Sequence, residues 1–390
     1  MRKLLVYSHD TYGLGNLRRM LSICRHLGES LPELSILLVS GSPMVHSFRL
    51  SPGLDYIKLP CLTRTDREGY AVKSLGLGLA ETIQLRSDLI LSAAANFRPD
   101  LLLVDKKPSG VKNELDATLR HLRERLPATK LALVLRDILD APEATVGVWE
   151  RHGYHEVIRD FYDLVLVLGV PEVFDPVKEY CFPEAVADKV RFCGYLRRPP
   201  GRRGRAEIRA EIGLTEMQRL VVLTTGGGAD GYALLSTYLE GLAESPPGGG
   251  LHSRLICGPE MGGRELGQLS RLAEGRGDVS LREFTDDLMS YLGAADVVVS
   301  MAGYNTVCEI LSLRKRAVVV PRVRPVPEQW MRAERMSRLG LFKVVHPDGL
   351  TPQELMRALR TELERDDAEP QLDLDAHPRL ARWVSSLLPA

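Results

Sequence analysis

The chain is 390 residues long, enough for two domains of about 150–200 residues each. Its 51 Lys+Arg balance its 51 Asp+Glu, so no net charge draws it to nucleic acid or to an anionic membrane. With 44% hydrophobic and 26% charged residues the composition is that of a globular protein, and no apolar run approaches the roughly 18–20 residues of a membrane-spanning helix. The start, MRKLLVYSHD, resembles a secretion leader, but His9 and Asp10 end its apolar stretch early, so it reads as a first strand. Apolar runs follow at Leu34–Ser40, Asp55–Leu59, Leu101–Asp105, Leu131–Arg136, Leu164–Leu168 and Val190–Cys193, with helical patterns over Asn16–Leu27, Leu79–Asn96 and Val111–Arg125. Solid rather than alternating runs mean strands covered on both faces, so this half is a parallel, doubly wound α/β sheet.

Composition then shifts. Residues 197–209, RRPPGRRGRAEIR, are too rich in Pro, Gly and Arg to form a core and read as a solvated connector. Without interleaved aromatic residues the arginines do not make a nucleic-acid surface. The alternation restarts with Leu220–Thr225, a helix from Ala229 to Leu242, and strands at Leu255–Cys257, Val279–Leu281, Val297–Ser300, Ala317–Val320 and Lys343–Val345. A last helix runs from about Pro378 to Leu388. The expected division is therefore 1–196, a linker 197–209, a second domain 210–374, and a terminal helical segment 375–390. Six cysteines, at 24, 61, 181, 193, 257 and 308, form no Cys-x-x-Cys pair and no zinc spacing with histidine. They read as buried thiols of a reducing cytosol, with neither metal nor disulfide expected.

Chemistry concentrates where strands end. Thr225-Gly226-Gly227-Gly228 follows a strand and leaves backbone amides uncovered, as a diphosphate requires, although the Lys-Ser/Thr ending of a Walker loop is missing. Val297–Ser300 leads through Gly303 into a helix beginning Tyr304-Asn305-Thr306, with Glu309 four residues after Asn305 on the same face. That pairing suits phosphate at the helix tip and a ribose one turn further on. Tyr304 either stacks on a base or sugar or packs in the core. Pro327 stands at a helix start before Glu328 and Gln329, whose side chains suit sugar hydroxyls. In the first half, His9-Asp10-Thr11-Tyr12-Gly13-Leu14-Gly15-Asn16-Leu17-Arg18 forms a glycine-containing turn that lacks the third glycine of a dinucleotide fingerprint. Asp105-Lys106-Lys107 and Arg136-Asp137 end two further strands and are read as acceptor-side loops.

The segment from Leu281 to Leu313 resembles the donor-binding half of glycosyltransferase family 28. By that resemblance the loop Phe284, Asp286, Asp287, Leu288 meets uracil, Gly303 opens the phosphate-binding helix, Glu309 binds the ribose hydroxyls, and Glu328-Gln329 holds the donor sugar. The first loop resembles that of family 28 and of related bacterial glycosyltransferases, whose pattern places a histidine where this chain has Asn16. A neutral amide has no useful basicity, so the expected base is Asp10 or His9, with Asp105 as fallback and Asn16 left to hydrogen bonding. The alternative is that Asp10 caps the turn and His9 is packed. Lys106, Lys107 and Arg136 are candidates for phosphate or acidic-acceptor contacts.

The resemblance implies the GT-B architecture, two Rossmann-like doubly wound parallel-sheet domains facing across a cleft, the last helix crossing back to the first domain. It implies an inverting, metal-independent, cytoplasmic glycosyltransferase that moves a hexose or N-acetylhexosamine from a nucleotide diphosphate sugar, with UDP favoured, to an unidentified small-molecule acceptor. No cofactor and no nucleic-acid partner are expected; peripheral membrane contact and oligomeric state stay open. The rival readings are a nucleotide-sugar 2-epimerase and a non-catalytic sugar-nucleotide binder.

Overall fold

The computed structural model describes residues 2–9, 15–65, 69–244, 250–365 and 372–389. Two of the expected site residues, Asp10 and Gly13, lie outside them. The chain divides into two compact units, Met1–Leu196 with Asp375–Ala390, and Arg197–Leu374.

The first unit carries β1 (Arg2–Ser8), β2 (Leu34–Ser40), β3 (Leu54–Lys58), β4 (Leu62–Arg64), β5 (Tyr70–Val72), β6 (Leu101–Asp105), β7 (Lys130–Arg136), β8 (Leu164–Leu168) and β9 (Val190–Phe192). Seven of these form a sheet in the order β3-β2-β1-β6-β7-β8-β9, parallel throughout. Leu5 lies between Leu37 and Leu102, and the apolar residues of β6 are fully buried, as helices on both faces require. Chain order reverses between β1 and β6, the switch point at which open α/β sheets bind ligands beyond their strand ends.

Two features of this unit depart from expectation. β4 and β5 pair as a small antiparallel hairpin with Arg64 opposite Tyr70; at three residues each they carry no legible period. The helix expected over Val111–Arg125 is broken. Val111–Asn113 is a single 3-10 turn with φ of 48° at Lys112 and 63° at Asn113, and the α-helix begins at Asp116. The cause is Glu114, whose buried carboxylate accepts from Arg86 Nε at 2.6 Å and from Tyr7 Oη at 2.6 Å, so the chain bends to deliver it. The terminal helix Ala376–Leu387 packs on the helix Gly15–Ser30, where His377 Nε2 lies 3.0 Å from Ser22 Oγ.

The second unit has β10 (Arg219–Thr224), β11 (Leu251–Ile256), β12 (Val279–Arg282), β13 (Val297–Ser300), β14 (Arg316–Val319) and β15 (Lys343–Val344), ordered β12-β11-β10-β13-β14-β15 and again parallel. Val221, Leu223, Val297, Val299 and Val318 form its core with Leu235, Tyr238 and Leu239 of the helix Tyr232–Ala243. Its switch point lies between β10 and β13.

The stretch 197–209 is largely exposed, but it is ordered by its own arginines. Residues Arg205–Ile212 are helical, Arg205 Nη2 meets Asp296 at 2.7 Å, and Arg209 donates to the carbonyls of Thr215 and Gln218. The arginines serve this unit's own carboxylates, which composition alone does not reveal. All six cysteines are free thiols; Cys181 is exposed and the other five are buried. Among the described residues no helix is long and apolar enough to cross a membrane.

Candidate functional site

At the switch point of the second sheet, two loops adjoin. After β10, Thr225 Oγ1 donates to the carbonyl of Cys257 at 2.5 Å, and Gly226 and Gly228 adopt φ of 68° and 98°. At Gly228 a Cβ would stand 2.5 Å from the Cys257 carbonyl oxygen, so only glycine lets these two backbones cross. The helix expected to open at Ala229 begins at Tyr232 instead. Positive φ cannot continue into a right-handed helix, and a turn closed by Gly231 N–H on the Gly228 carbonyl intervenes. Helical N–H groups without intrahelical acceptors therefore start three residues beyond the expected place. Glu260 lies against the same turn. Its N–H donates to the Gly227 carbonyl at 2.8 Å, and its carboxylate would be 2.9 Å from a Cβ at Gly227. Glu260 thus closes over the glycine turn on the side of Gly227.

That loop runs from Ser300 through Gly303 into the helix Tyr304–Ser312, whose N-cap Gly303 is extended and provides no side-chain acceptor. The helix dipole and the first-turn N–H groups point out of the strand end here. Arg198 completes the feature. Its backbone N–H donates to Ser312 Oγ at 2.8 Å at one end of the helix, and its guanidinium to Asn305 Oδ1 at 2.7 Å at the other. Arg198 Nε is buried and has no hydrogen-bond partner. Sequence reasoning placed Arg198 in the linker; only its 107-residue separation from Asn305, closed by the fold, brings it here.

The remaining donor-side candidates divide. Phe284 is 57% exposed and presents its ring to solvent. Leu288 begins the helix Leu288–Ala294 and is half-buried. Asp286 is exposed and paired with Arg202 at 2.7 Å. Burial opposes ionisation of Asp287, yet hydrogen bonds from Ser290, the Arg202 N–H and Arg203 outweigh it and hold its carboxyl below the usual range. Thr306 lies beside the glycine turn, its Oγ1 3.9 Å from the Cβ position of Gly226. Tyr304 is buried, with the Arg332 guanidinium 5.7 Å from its ring centroid. Glu328, expected to face sugar hydroxyls, is committed instead: it pairs with fully buried Arg332 at 2.9 Å, and Arg332 also holds the Ala302 carbonyl at 2.9 Å. This carboxylate shapes the turn before Gly303. Gln329 accepts from the Arg322 N–H at 3.1 Å through its side-chain oxygen. Glu309 lies on the helix as expected but is only 1% exposed.

At the switch point of the first sheet, His9 directly follows β1 and Asp105 ends β6. Asp105, the expected fallback base, is 1% exposed and ion-paired with Arg19 at 2.7 Å while also accepting the His9 N–H at 3.3 Å. Both contacts engage the buried carboxylate within the unit, so Asp105 serves to hold Arg19 and the end of the first loop rather than to face an acceptor. Asn16 donates from Nδ2 to the His9 carbonyl at 2.6 Å and accepts from Arg19 at 3.2 Å. It fastens the loop, as its amide chemistry allows. Gly15 and Arg18, on the first turn of the same helix, are exposed.

His9 Nδ1 is buried and has no hydrogen-bond partner. Burial, then Lys106, Lys107, Arg64 and Arg86, hold its imidazole well below the usual histidine range, so the ring is neutral at neutral pH. Lys106 is half-buried and left-handed, with φ of 72°. Arg136 ends β7 and is half-buried. Asp137, expected on the acceptor side, is fully buried, accepting from the Ile138 N–H at 2.7 Å and from Tyr195 Oη at 2.9 Å. It anchors the loop rather than facing a ligand.

Comparison with known proteins places these features. Residues 221–376 match the glycosyltransferase family 28 C-terminal domain. An uncharacterized glycosyltransferase of Methanopyrus kandleri is 27% identical over 234 residues, 60% of this chain and 62% of the relative. The UDP-N-acetylglucosamine–N-acetylmuramyl-(pentapeptide) pyrophosphoryl-undecaprenol N-acetylglucosamine transferase of Haemophilus influenzae is 28% identical over 144 residues, 37% of this chain and 39% of that enzyme. The matches thus span less than two thirds of either relative. Among solved structures, the glycotransferase of kitacinnamycin aligns with a TM-score of 0.66 at 17% identity, covering 100% of this chain and 99% of that one. The UDP-GlcNAc 2-epimerase of Neisseria meningitidis aligns with a TM-score of 0.64 at 13% identity, covering 99% and 100%. The fold is that of the GT-B enzymes.

Proposed function

Taking the second unit as a carrier of the glycosyltransferase family 28 C-terminal domain, we propose that this protein is an inverting glycosyltransferase that uses a nucleotide diphosphate sugar, UDP favoured. The observation that carries the reading is the helix Tyr304–Ser312 at the β10–β13 switch point, with Arg198 fixed to its first turn. An acceptor hydroxyl or amine attacks the anomeric carbon as the bond from that carbon to the diphosphate oxygen breaks. Negative charge grows on the leaving diphosphate. The helix N-terminus and the Arg198 guanidinium stabilise it in the place a divalent ion would take. One such preorganised donor supplies on the order of 3 kcal/mol of barrier lowering.

The acceptor's proton passes to a base of the first unit, His9 or Asp10. His9 fits through its neutral ring and its unpartnered Nδ1. Phe284 offers an exposed ring to the base of the nucleotide. Glu309 accepts from the ribose hydroxyls, which therefore have to reach a carboxylate that is only 1% exposed. The family 28 match and the Haemophilus relative, whose name specifies a UDP-sugar, favour this reading over an epimerase of the same fold.

The test is incubation of the protein with UDP-N-acetylglucosamine and other UDP-hexoses, with and without a cell-extract acceptor fraction and with EDTA present, followed by mass spectrometry. The expected result is a glycosylated product and UDP that depend on the acceptor fraction and survive EDTA. Epimerised sugar formed without acceptor would replace transfer by epimerisation; loss of turnover in EDTA would remove metal independence.

A further inference from the structure

We propose that a pocket at the start of β11 and β12, in the second unit, binds a small carboxylate through Arg254. It lies away from the strand ends where the nucleotide is placed, and it stands whether or not the transferase reading does.

The strands set it up. β11 and β12 are parallel, with Arg254 level with Ser280 and Ile256 level with Arg282, so strand alternation turns His252, Arg254, Ser280 and Arg282 to one face. The helix Arg205–Ile212 brings Glu211 to that face, and the helix Leu288–Ala294 brings Tyr291. Glu211, His252, Arg254 and Ser280 line a cavity of about 160 Å³. A single water needs about 10–15 Å³, so there is room for a small organic acid.

Arg254 is the group that asks for a ligand. It is only 8% exposed, and its Nε is buried without a hydrogen-bond partner. Among the described residues its other guanidinium nitrogens make no hydrogen bond either. Its ion-pair partner, Glu211 Oε1, lies 4.0 Å from Nη2. A guanidinium taken out of water with its N–H donors unused is costly, and in native proteins such a group marks the place of a water or an ion.

Local charge points the same way. Tyr291 gathers three guanidiniums, those of Arg203, Arg282 and Arg254, at 5.3, 5.4 and 5.5 Å from its ring centroid. Two carboxylates answer them. Glu211 accepts from Arg203, from Arg282 at 3.0 Å and from Tyr291 Oη at 2.9 Å, and Asp287 accepts from Arg203 at 3.2 Å. Asp278, also at the cavity, is engaged by Arg276 through contacts of 3.0 and 2.8 Å. One positive charge stays uncompensated, and burial, then Arg282, hold the Arg254 guanidinium below the usual arginine range. A monoanion balances one charge, and a planar carboxylate matches the paired Nε and Nη donors of a guanidinium edge. A phosphate would bring a second negative charge toward Glu211.

The experiment is a fluorine NMR titration of the full chain with fluoroacetate at pH 7.5 and constant ionic strength, with acetate and inorganic phosphate as competitors and thermal melting alongside. Saturable binding is expected, displaced more readily by acetate than by phosphate and persisting in saturating UDP. Arg254→Met should weaken it about tenfold or more, the loss of charge-assisted hydrogen bonds. Arg254→Lys should weaken it comparably, because an ammonium keeps the charge and loses the paired donors. Arg264→Met, on the exposed face of another helix, should change nothing. Since the Arg254 guanidinium holds no hydrogen bond, both Arg254 variants should melt close to wild type in acetate-free buffer, which separates lost binding from lost folding. Absence of saturable binding, affinity unchanged in both Arg254 variants, stronger displacement by phosphate, or displacement by UDP would each overturn the proposal. Failure of the transferase reading looks different: UDP would not bind, while fluoroacetate would titrate as before.

Discussion

Glu309 gives the sharpest test because its burial and its proposed role pull in opposite directions. A carboxylate that is 1% exposed either holds the fold together or accepts hydrogen bonds from a ribose seated against it. A hydrogen bond to a charged group is worth about 1.5–3 kcal/mol, a factor of roughly ten to a hundred and fifty in affinity. Wild-type protein should therefore bind UDP at least about tenfold more tightly than 2′-deoxy-UDP. In Glu309→Gln, which keeps the shape and removes the charge, that preference should shrink to near unity. The measurement is calorimetric titration of both proteins with both nucleotides, closed as a thermodynamic cycle, with thermal melting alongside. If Glu309→Gln lowers the melting temperature but leaves the UDP to deoxy-UDP ratio where it was, the residue is structural and the ribose assignment fails.

Three further outcomes follow from the geometry. Arg198→Met should lower kcat by about 10²–10³ with a much smaller effect on thermal stability, since the guanidinium is only partly buried; equal kcat in steady-state assays would remove it from the diphosphate site. Asp105→Asn should cost about 3–5 kcal/mol in urea unfolding, because it leaves the Arg19 guanidinium, 2% exposed, without its counter-charge; a loss below 1 kcal/mol would contradict the reading of this pair. Stability should fall as pH drops below about 6.5, since the unfolded chain then binds a proton at residue 9 that the folded chain excludes. His9→Asn should flatten that slope, and if His9 is the base, the acid limb of kcat/KM should lie below the ordinary histidine value.

Continuous apolar runs such as Leu101–Asp105 and Val297–Ser300 can only be strands covered on both faces, so the two parallel sheets follow from the sequence itself. The glycine turn after β10 and the helix start at Gly303 were legible for the same local reason: a glycine cluster between a strand and a helix restricts the backbone. What the sequence misjudged was polar. Glu328 looked like a sugar ligand and is bound to Arg332; Asp105 looked like a base and is bound to Arg19; Arg202, Arg203 and Arg205 of the exposed connector are paired with aspartates far along the chain. The hairpin Leu62–Arg64 with Tyr70–Val72 was too short to show a pattern, yet it sets Tyr70 beside Lys107 at the end of β6. Hydrophobic patterning is local and repeats with the period of the element, so it can be read along the chain. The partner of a charge is chosen across it, 86 residues away for Arg19 and 107 for Arg198, by which strands lie side by side. A carboxylate's role therefore depends on the cation that tertiary folding sets against it.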